Sequence, residues 1–141
     1  IDLHVELATP TWAELSGQAG SPTSAEVRAR VLVAREIQAR RFRDLAIRTN
    51  ARMDASLVRR FCRLDAGSEA LLRTAAERWR LSARALVRVL KVARTVADLA
   101  ESEHIRPLHL QEALAFRPAP AGASGGLGDH IHSLTAGGGA R

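Results

Sequence analysis

The sequence predicts an all-α fold, a helical bundle of about five helices, with an orphan N-terminal strand and a disordered C-terminal tail. Three observations predict it. Between residues 23 and 117, apolar residues recur mostly at steps of three and four, the period of an amphipathic helix. Residues 1–7 alone alternate with the period of a strand. Residues 118–141 are mostly Pro, Ala, Gly and Ser, a composition that cannot bury enough apolar surface to fold.

Composition limits the chain to one ordinary domain with tails, because it has 141 residues of which 46% are hydrophobic. No apolar run is long enough to span a membrane, so we expect no membrane partner. The lone cysteine, Cys62, fits a reducing compartment, and the expected location is cytoplasmic. The net charge of +6 indicates anionic partners. All the lysine and arginine residues of the chain are arginines apart from Lys91, and arginine is well suited to bidentate contacts with phosphate.

The N-terminal stretch 1–7 reads as one half-buried strand, with Ile1, Leu3, Val5 and Leu7 on one face. A single strand has no ladder partner, so its sheet is expected to lie upstream of this chain. Residues 8–22, which hold two prolines and two glycines, are predicted to be a linker.

The first helix is predicted from a capping box, Thr23 with Glu26, to about Leu45. Its predicted buried side includes Val27 and Val31. Several arginines occupy the rest of its surface and could follow a phosphate backbone. The alternative is an ordinary solvated face, which acidic residues on the same helix favour. The candidate nucleic-acid contacts on this helix are Arg28, Arg35, Arg40 and Arg41.

Three further helices are predicted around the longest amphipathic stretch. Asp54 would cap a short helix to about Arg63, and Asp65 one from there to about Arg80. The second of these should form a hairpin with the helix that follows it, because the connection is tight. Pro107 suits the first position of a last helix ending near Phe116.

The stretch 81–100 is predicted to be the central helix of the bundle, with an apolar stripe on one side. The opposite, polar face includes Arg84, Arg88, Lys91 and Asp98. Ser82 is a plausible N-cap. Arg84 would then lie in the first turn, where the helix dipole disfavours a cation. An anion such as phosphate would explain its position, and a solvated surface residue is the alternative. Lys91 extends the candidate nucleic-acid surface onto this helix.

The sequence lacks the usual parts of a catalytic site. It contains neither a phosphate-binding loop of the form GxxxxGK[ST] nor a GxGxxG motif. His130 and His132 lie two residues apart in the tail without a third ligand, so no metal site is predicted. We therefore expect no catalytic residue and no enzymatic activity in this chain by itself.

Three segments resemble the C-terminal part of the magnesium-chelatase-like AAA+ ATPases, in the branch of competence protein ComM, also called YifB-like. They are the strand-like IDLHVEL, the stretch LSARA…RVLKVARTVADL, and IRPLHLQEAL. The segment 46–53 and the helix before it also fit, so the resemblance covers about residues 1–117. One departure is Trp79-Arg80, where that family usually has Leu-Gly.

The resemblance implies that residues 1–7 are the last strand of a missing AAA+ core and that residues 23–117 are its helical lid. It implies that Arg84 is the sensor-2 arginine that reaches ATP, with Arg88 as a second candidate. ATP and Mg²⁺ would serve the full-length protein and no cofactor this chain alone. The implied partners are the core of the same polypeptide, neighbouring subunits of a homo-oligomeric ring, and DNA undergoing branch migration in natural transformation.

The sequence leaves two other hypotheses about function open. One is a stand-alone basic helical module that binds nucleic acid through arginine faces of its first and fourth helices. The other is a plain helical interaction domain. A Walker phosphate loop upstream of Ile1 would favour the lid over both.

Overall fold

A computed structural model of the chain describes residues 3–5, 7, 9–10, 12 and 22–117. Residues 22–117 form an all-α bundle, which confirms the predicted fold class. Its five helices and one 3₁₀ turn are α1 (Ser24–Arg41), the 3₁₀ turn (Asn50–Arg52), α2 (Ala55–Phe61), α3 (Ala66–Arg78), α4 (Ala83–Leu99) and α5 (Pro107–Ala115).

The predicted N-terminal strand lies partly outside the described residues. Residues 3–5 and 7 are described and form no β-ladder, because no second strand pairs with them in the described part of the chain. The backbone N–H of His4 instead donates to the carbonyl oxygen of Phe116 at 2.8 Å. Most of the predicted linker 8–22 and all of the predicted tail 118–141 lie outside the described residues.

The helices begin where the sequence places their caps. The capping box is present: Thr23 Oγ1 accepts from the backbone N–H of Glu26 at 3.3 Å, and Glu26 Oε2 accepts from that of Thr23 at 2.7 Å. The hydrogen bonds from Thr23 lower the pKa of Glu26. Asp65 Oδ1 caps α3 through the Ser68 N–H at 2.7 Å, and this hydrogen bond lowers the pKa of Asp65. Pro107 is the first residue of α5.

Helix α1 is shorter than predicted and is buried only in its second half. It ends at Arg41 rather than near Leu45, and the next residue, Phe42, turns into the core. Val27 and Val31 were predicted to be buried but are 44% and 43% exposed. The buried residues of α1, Ala34 and Gln38, both lie nearer its C-terminus, where it packs on α4.

Helix α4 is the centre of the bundle, since α1, the 3₁₀ turn, α2 and α5 all pack against it. Its Val89, Ala93 and Ala97 lie in the main core. The two alanines let the neighbouring helices approach closely. The rest of that core comes from the other helices and their connections and consists of Phe42, Met53, Val58, Cys62, Ala75, Ile105, Leu110, Ala113 and Leu114.

The predicted hairpin of α3 with α4 is wrong, because α3 packs mainly on α5. The connection itself is tight, as predicted. Arg80 has φ 49°, and its N–H and that of Leu81 donate back to the carbonyls of Glu77 and Ala76. This is a Schellman ending with arginine in the left-handed position that glycine usually occupies. A parallel bridge between Leu64 and Ile105 joins the α2–α3 and α4–α5 connections.

Candidate functional site

The N-terminus of α4 presents one arginine to the outside of the bundle. Ser82 is the N-cap, as predicted, and its Oγ accepts from the Ala85 N–H at 3.3 Å. Arg84 is the second residue of the helix and is exposed. In the described part of the chain its guanidinium makes no hydrogen bond or ion pair with another side chain. Within that part of the chain, the donors of Arg84 are available for an external anion.

Arg88, the second candidate for an ATP contact, lies one turn further along α4. Its side chain is half-buried and already has an interaction partner. Of the two residues, Arg84 is thus the more accessible to a ligand.

The other end of α4 carries a buried ionic cluster that we call the Asp98 cluster: Arg41, Asn50, Arg94 and Asp98. Asp98 is 0% exposed, and Arg41 donates to both of its carboxylate oxygens, one of them at 2.7 Å. Arg94 Nε donates to Asp98 Oδ1 at 3.1 Å, and Asn50 Nδ2 to Oδ2 at 2.8 Å. Every lone-pair direction of this carboxylate is thus occupied by a donor from within the domain.

The same cluster fixes the loops at both sides of α4. Arg94 donates through Nη1 to the carbonyl of Glu103 at 2.8 Å and through Nη2 to that of Ser102 at 2.6 Å. The Asn50 N–H donates to Gln38 Oε1 at 3.2 Å, which explains how a glutamine can be buried on α1. These contacts tie α1, the 3₁₀ turn, α4 and the α4–α5 connection to one charged centre.

Burial shifts the pKa of several groups near this centre. Desolvation lowers the pKa of Arg94, although the Asp98 charge opposes that effect. Desolvation raises the pKa of the Cys62 thiol to about 11, so Cys62 stays protonated at neutral pH. It is a core residue rather than a nucleophile. Desolvation also lowers the pKa of His109, whose Nδ1 accepts from the Arg106 N–H at 3.1 Å.

A solvent-accessible cavity of about 640 Å³ lies beside the Asp98 cluster. Helix α1, the C-terminal end of α2 and the α4–α5 connection form its walls. We call it the arginine cavity, since five arginines line it. The lining residues are Ile37, Arg40, Arg41, Arg60, Phe61, Arg63, Arg94, Glu101, Ser102, Glu103 and His104.

Four of the five predicted nucleic-acid residues line grooves or cavities of the domain. Arg40 and Arg41 both line the arginine cavity, but Arg41 is 13% exposed and bound to Asp98. Arg28 lines a shallow groove at the N-terminal half of α1, and Arg35 lines another against the 3₁₀ turn. Lys91 donates to the Ala51 carbonyl at 3.0 Å. Val31 lines both the Arg28 groove and the Arg35 groove, so these two grooves adjoin on α1, and the use of these residues in nucleic-acid binding stays a prediction.

The prediction that Asp98 lies on the polar outer face of its helix is wrong. Its position is buried because the C-terminal end of α1 crosses α4 there. Arg60, Arg63 and Arg94 were not identified as members of a site. The sequence shows Arg59 and Arg60 in the last turn of the capped short helix and Arg63 just after it, but their proximity to α1 depends on the tertiary fold.

Metal-binding clusters and membrane-spanning helices are both absent from the described residues. In residues 3–5, 7, 9–10, 12 and 22–117, no group of three or more His, Cys, Asp or Glu side chains is arranged to hold a metal ion. No helix among them is long and apolar enough to cross a membrane. His130 and His132 lie outside the described residues.

The fold and site define an all-α domain that presents an arginine at a capped helix N-terminus and a second group of arginines around a cavity. Residues 21–117 match the family model described as magnesium chelatase, subunit ChlI C-terminal. The chain belongs to this family.

Relatives with the same region are found in several bacteria. The chain is 39% identical over 117 residues to the protein YifB of Escherichia coli (strain K12), covering 82% of this chain and 22% of YifB. It is 39% identical over 118 residues to competence protein ComM of Haemophilus influenzae, with the same coverage of 82% and 22%. A protein of Mycobacterium tuberculosis (strain H37Rv) is 38% identical over 121 residues, or 86% of this chain and 24% of that protein. The chain thus spans less than a quarter of these relatives.

Proposed function

We propose that this domain is the C-terminal helical lid of a ComM-like AAA+ ATPase and that Arg84 is its sensor-2 arginine. The observation that carries the proposal is the exposed guanidinium in the first turn of α4, which makes no side-chain hydrogen bond or ion pair among the described residues. A first-turn cation is unfavourable against the helix dipole unless an anion joins it. In a closed lid the γ-phosphate of ATP, bound by the core, would supply that anion.

The whole protein would hydrolyse ATP with Mg²⁺, while this chain alone would be inactive and hold no cofactor. ATP supplies the phosphoanhydride bond whose cleavage drives the motor. Arg84 would bind the γ-phosphate and so report whether it is present, with Arg88 as the weaker candidate. Lid movement would pass this signal to neighbouring subunits of a homo-oligomeric ring. A cytoplasmic location belongs to the same proposal.

We also propose that the motor remodels DNA, by branch migration in natural transformation. The support is the similarity to competence protein ComM together with the net charge of +6. The alternative function is a stand-alone basic helical module that binds nucleic acid. The arginine cavity favours it as a second candidate, because three exposed arginines line that cavity without ion-pair partners in the described residues.

Arg84→Ala in the full-length protein tests the lid role. We expect ATP turnover to fall by about 10²-fold or more, because a charge-stabilising donor to the reacting phosphate is lost. The matched control is Arg78→Ala, which removes an exposed arginine from the last turn of α3 and should leave turnover unchanged. Thermal denaturation should not separate the two variants, since neither side chain is buried. Unchanged turnover in Arg84→Ala would contradict the assignment.

The 141-residue chain alone separates the two candidate functions. We expect it to show no ATP hydrolysis and only weak, salt-sensitive DNA binding. Tight, sequence-specific DNA binding at moderate salt would favour the stand-alone module instead.

A further inference from the structure

We propose that the arginine cavity is a binding site for the phosphodiester backbone of nucleic acid, held by Arg40, Arg60 and Arg63. The site is separate from Arg84, which does not line the cavity. It deepens the DNA-remodelling part of the proposed function and rests on it only in naming DNA as the anion.

The first argument is the imbalance of charge around the cavity. Five arginines line it, against the carboxylates of Glu101 and Glu103 on its wall and of Asp98 beneath it. Arg41 is held by Asp98 and Asn50, and Arg94 by Asp98 and two backbone carbonyls, so both add positive potential while several of their donors are already engaged. Convergence of like charges is unfavourable in the empty domain, and a bound polyanion would relieve it.

The second argument is the availability of donors on the other three arginines. Arg40, Arg60 and Arg63 are exposed, and none of them makes a side-chain hydrogen bond or ion pair in the described part of the chain. Neither Glu101 nor Glu103 approaches them closely enough to form an ion pair. A guanidinium with all its donors free matches phosphate oxygens in a bidentate geometry.

The third argument is that one of these arginines is already oriented. The Arg60 guanidinium carbon lies 4.9 Å from the centroid of the Phe61 ring, which forms part of the cavity wall. Phe61 is fixed in turn by an edge-to-face contact with Phe42, with centroids 5.6 Å apart. This support reduces the rotamer freedom that Arg60 would lose on binding.

The ligand is a backbone phosphate rather than a buried small molecule, because the cavity is open to solvent and its three exposed arginines come from α1, the last turn of α2 and the α2–α3 connection. Contacts from two elements to a strand running along the cavity would be independent of base sequence. The predicted binding is therefore sequence-independent and strongly dependent on salt.

The test is fluorescence anisotropy of labelled single-stranded and duplex DNA with the 141-residue chain at about 50 and 200 mM salt. For Arg60→Ala/Arg63→Ala we expect affinity for duplex to fall at least about tenfold at the lower salt. The slope of log K against log salt should also become shallower by about 1.8, the value for two phosphate contacts. The matched control, Arg73→Ala/Arg78→Ala, removes the same charge from the exposed side of α3.

A second variant keeps the proposal testable if the first pair disturbs the fold. Glu103→Gln removes a carboxylate from the cavity wall and should tighten DNA binding by about threefold, since one like charge no longer repels the phosphates. Glu77→Gln, an exposed carboxylate of α3, is its control and should change binding less.

Equal losses in the two arginine pairs would overturn the proposal, because net charge rather than the cavity would then explain binding. Unchanged duplex affinity and an unchanged salt slope in Arg60→Ala/Arg63→Ala would also overturn it. Loss of ATP turnover in Arg84→Ala of the full-length protein is a separate result, so failure of the lid role and failure of this site are distinguishable.

Discussion

Replacing Asp98 by asparagine is the most direct test of how the domain is held together. The substitution keeps the shape of the side chain and removes its charge. Asp98 is 0% exposed and accepts from both arginines of the Asp98 cluster, whose side chains are 13% and 4% exposed. An amide in its place offers only one acceptor oxygen and turns an N–H₂ group towards a guanidinium donor.

The expected loss of stability follows from the two cations left behind. Removing one partner from a buried ion pair costs about 3–5 kcal/mol, since the remaining charge stays desolvated. The whole domain is expected to be stable by about 5–15 kcal/mol, so Asp98→Asn should remove a large share of that stability. Urea unfolding of the 141-residue chain followed by circular dichroism measures this difference.

The matched control is Asp44→Asn, which also removes one carboxylate paired with an arginine. Asp44 and Arg43 are 87% and 80% exposed at a separation of 3.3 Å, so this pair should contribute less than about 1 kcal/mol. A loss of about 1 kcal/mol or less for Asp98→Asn would refute the reasoning, because the cluster would then behave like a surface pair.

Two further predictions concern stability. Arg80→Gly should stabilise the chain by about 0.5–1 kcal/mol in urea unfolding, because Arg80 has φ 49° and glycine adopts this conformation without strain. The control, Arg78→Gly within α3, should destabilise the chain by about 1 kcal/mol. A loss of stability in Arg80→Gly would contradict the assignment of a Schellman ending. Stability should also fall as pH rises from about 9 to about 11, since burial raises the pKa of Cys62 from 9.0 to about 11 and the unfolded thiol ionises first. The loss in free energy of unfolding should approach about 2–3 kcal/mol. The stability of Cys62→Ala should lack this part of the pH dependence. If the stability of Cys62→Ala changed with pH as that of the unsubstituted chain does, Cys62 would not be the group responsible.

Much of the local structure could be predicted from the sequence. The Thr23–Glu26 capping box, the Ser82 N-cap, the start of α5 at Pro107 and the apolar stripe of α4 are all confirmed. Each depends on residues within about one or two helical turns of one another, where side-chain chemistry decides the conformation. The accessible position of Arg84 follows from the same local reasoning.

Apart from the end of α1, the wrong predictions concern which helix covers which face. The helical period places Asp98 on the same face of α4 as Arg84. Asp98 is nevertheless covered by Arg41, which lies 57 residues earlier in the sequence. Val27 and Val31 have the period of a buried stripe but extend beyond the part of α1 that packs on α4. Periodicity identifies an apolar or polar face, and only the tertiary arrangement decides where along its length that face is covered.

The Asp98 cluster has a mechanical consequence for the whole domain. Arg84 lies fourteen residues before Asp98 on one unbroken helix, so about 21 Å separate the two along its axis at 1.5 Å per residue. At the far end, one carboxylate and its arginines join α1, the 3₁₀ turn and the α4–α5 connection. A displacement imposed at the Arg84 end should therefore rotate the domain as a rigid body, because bending it would first require separating the buried charges of the Asp98 cluster.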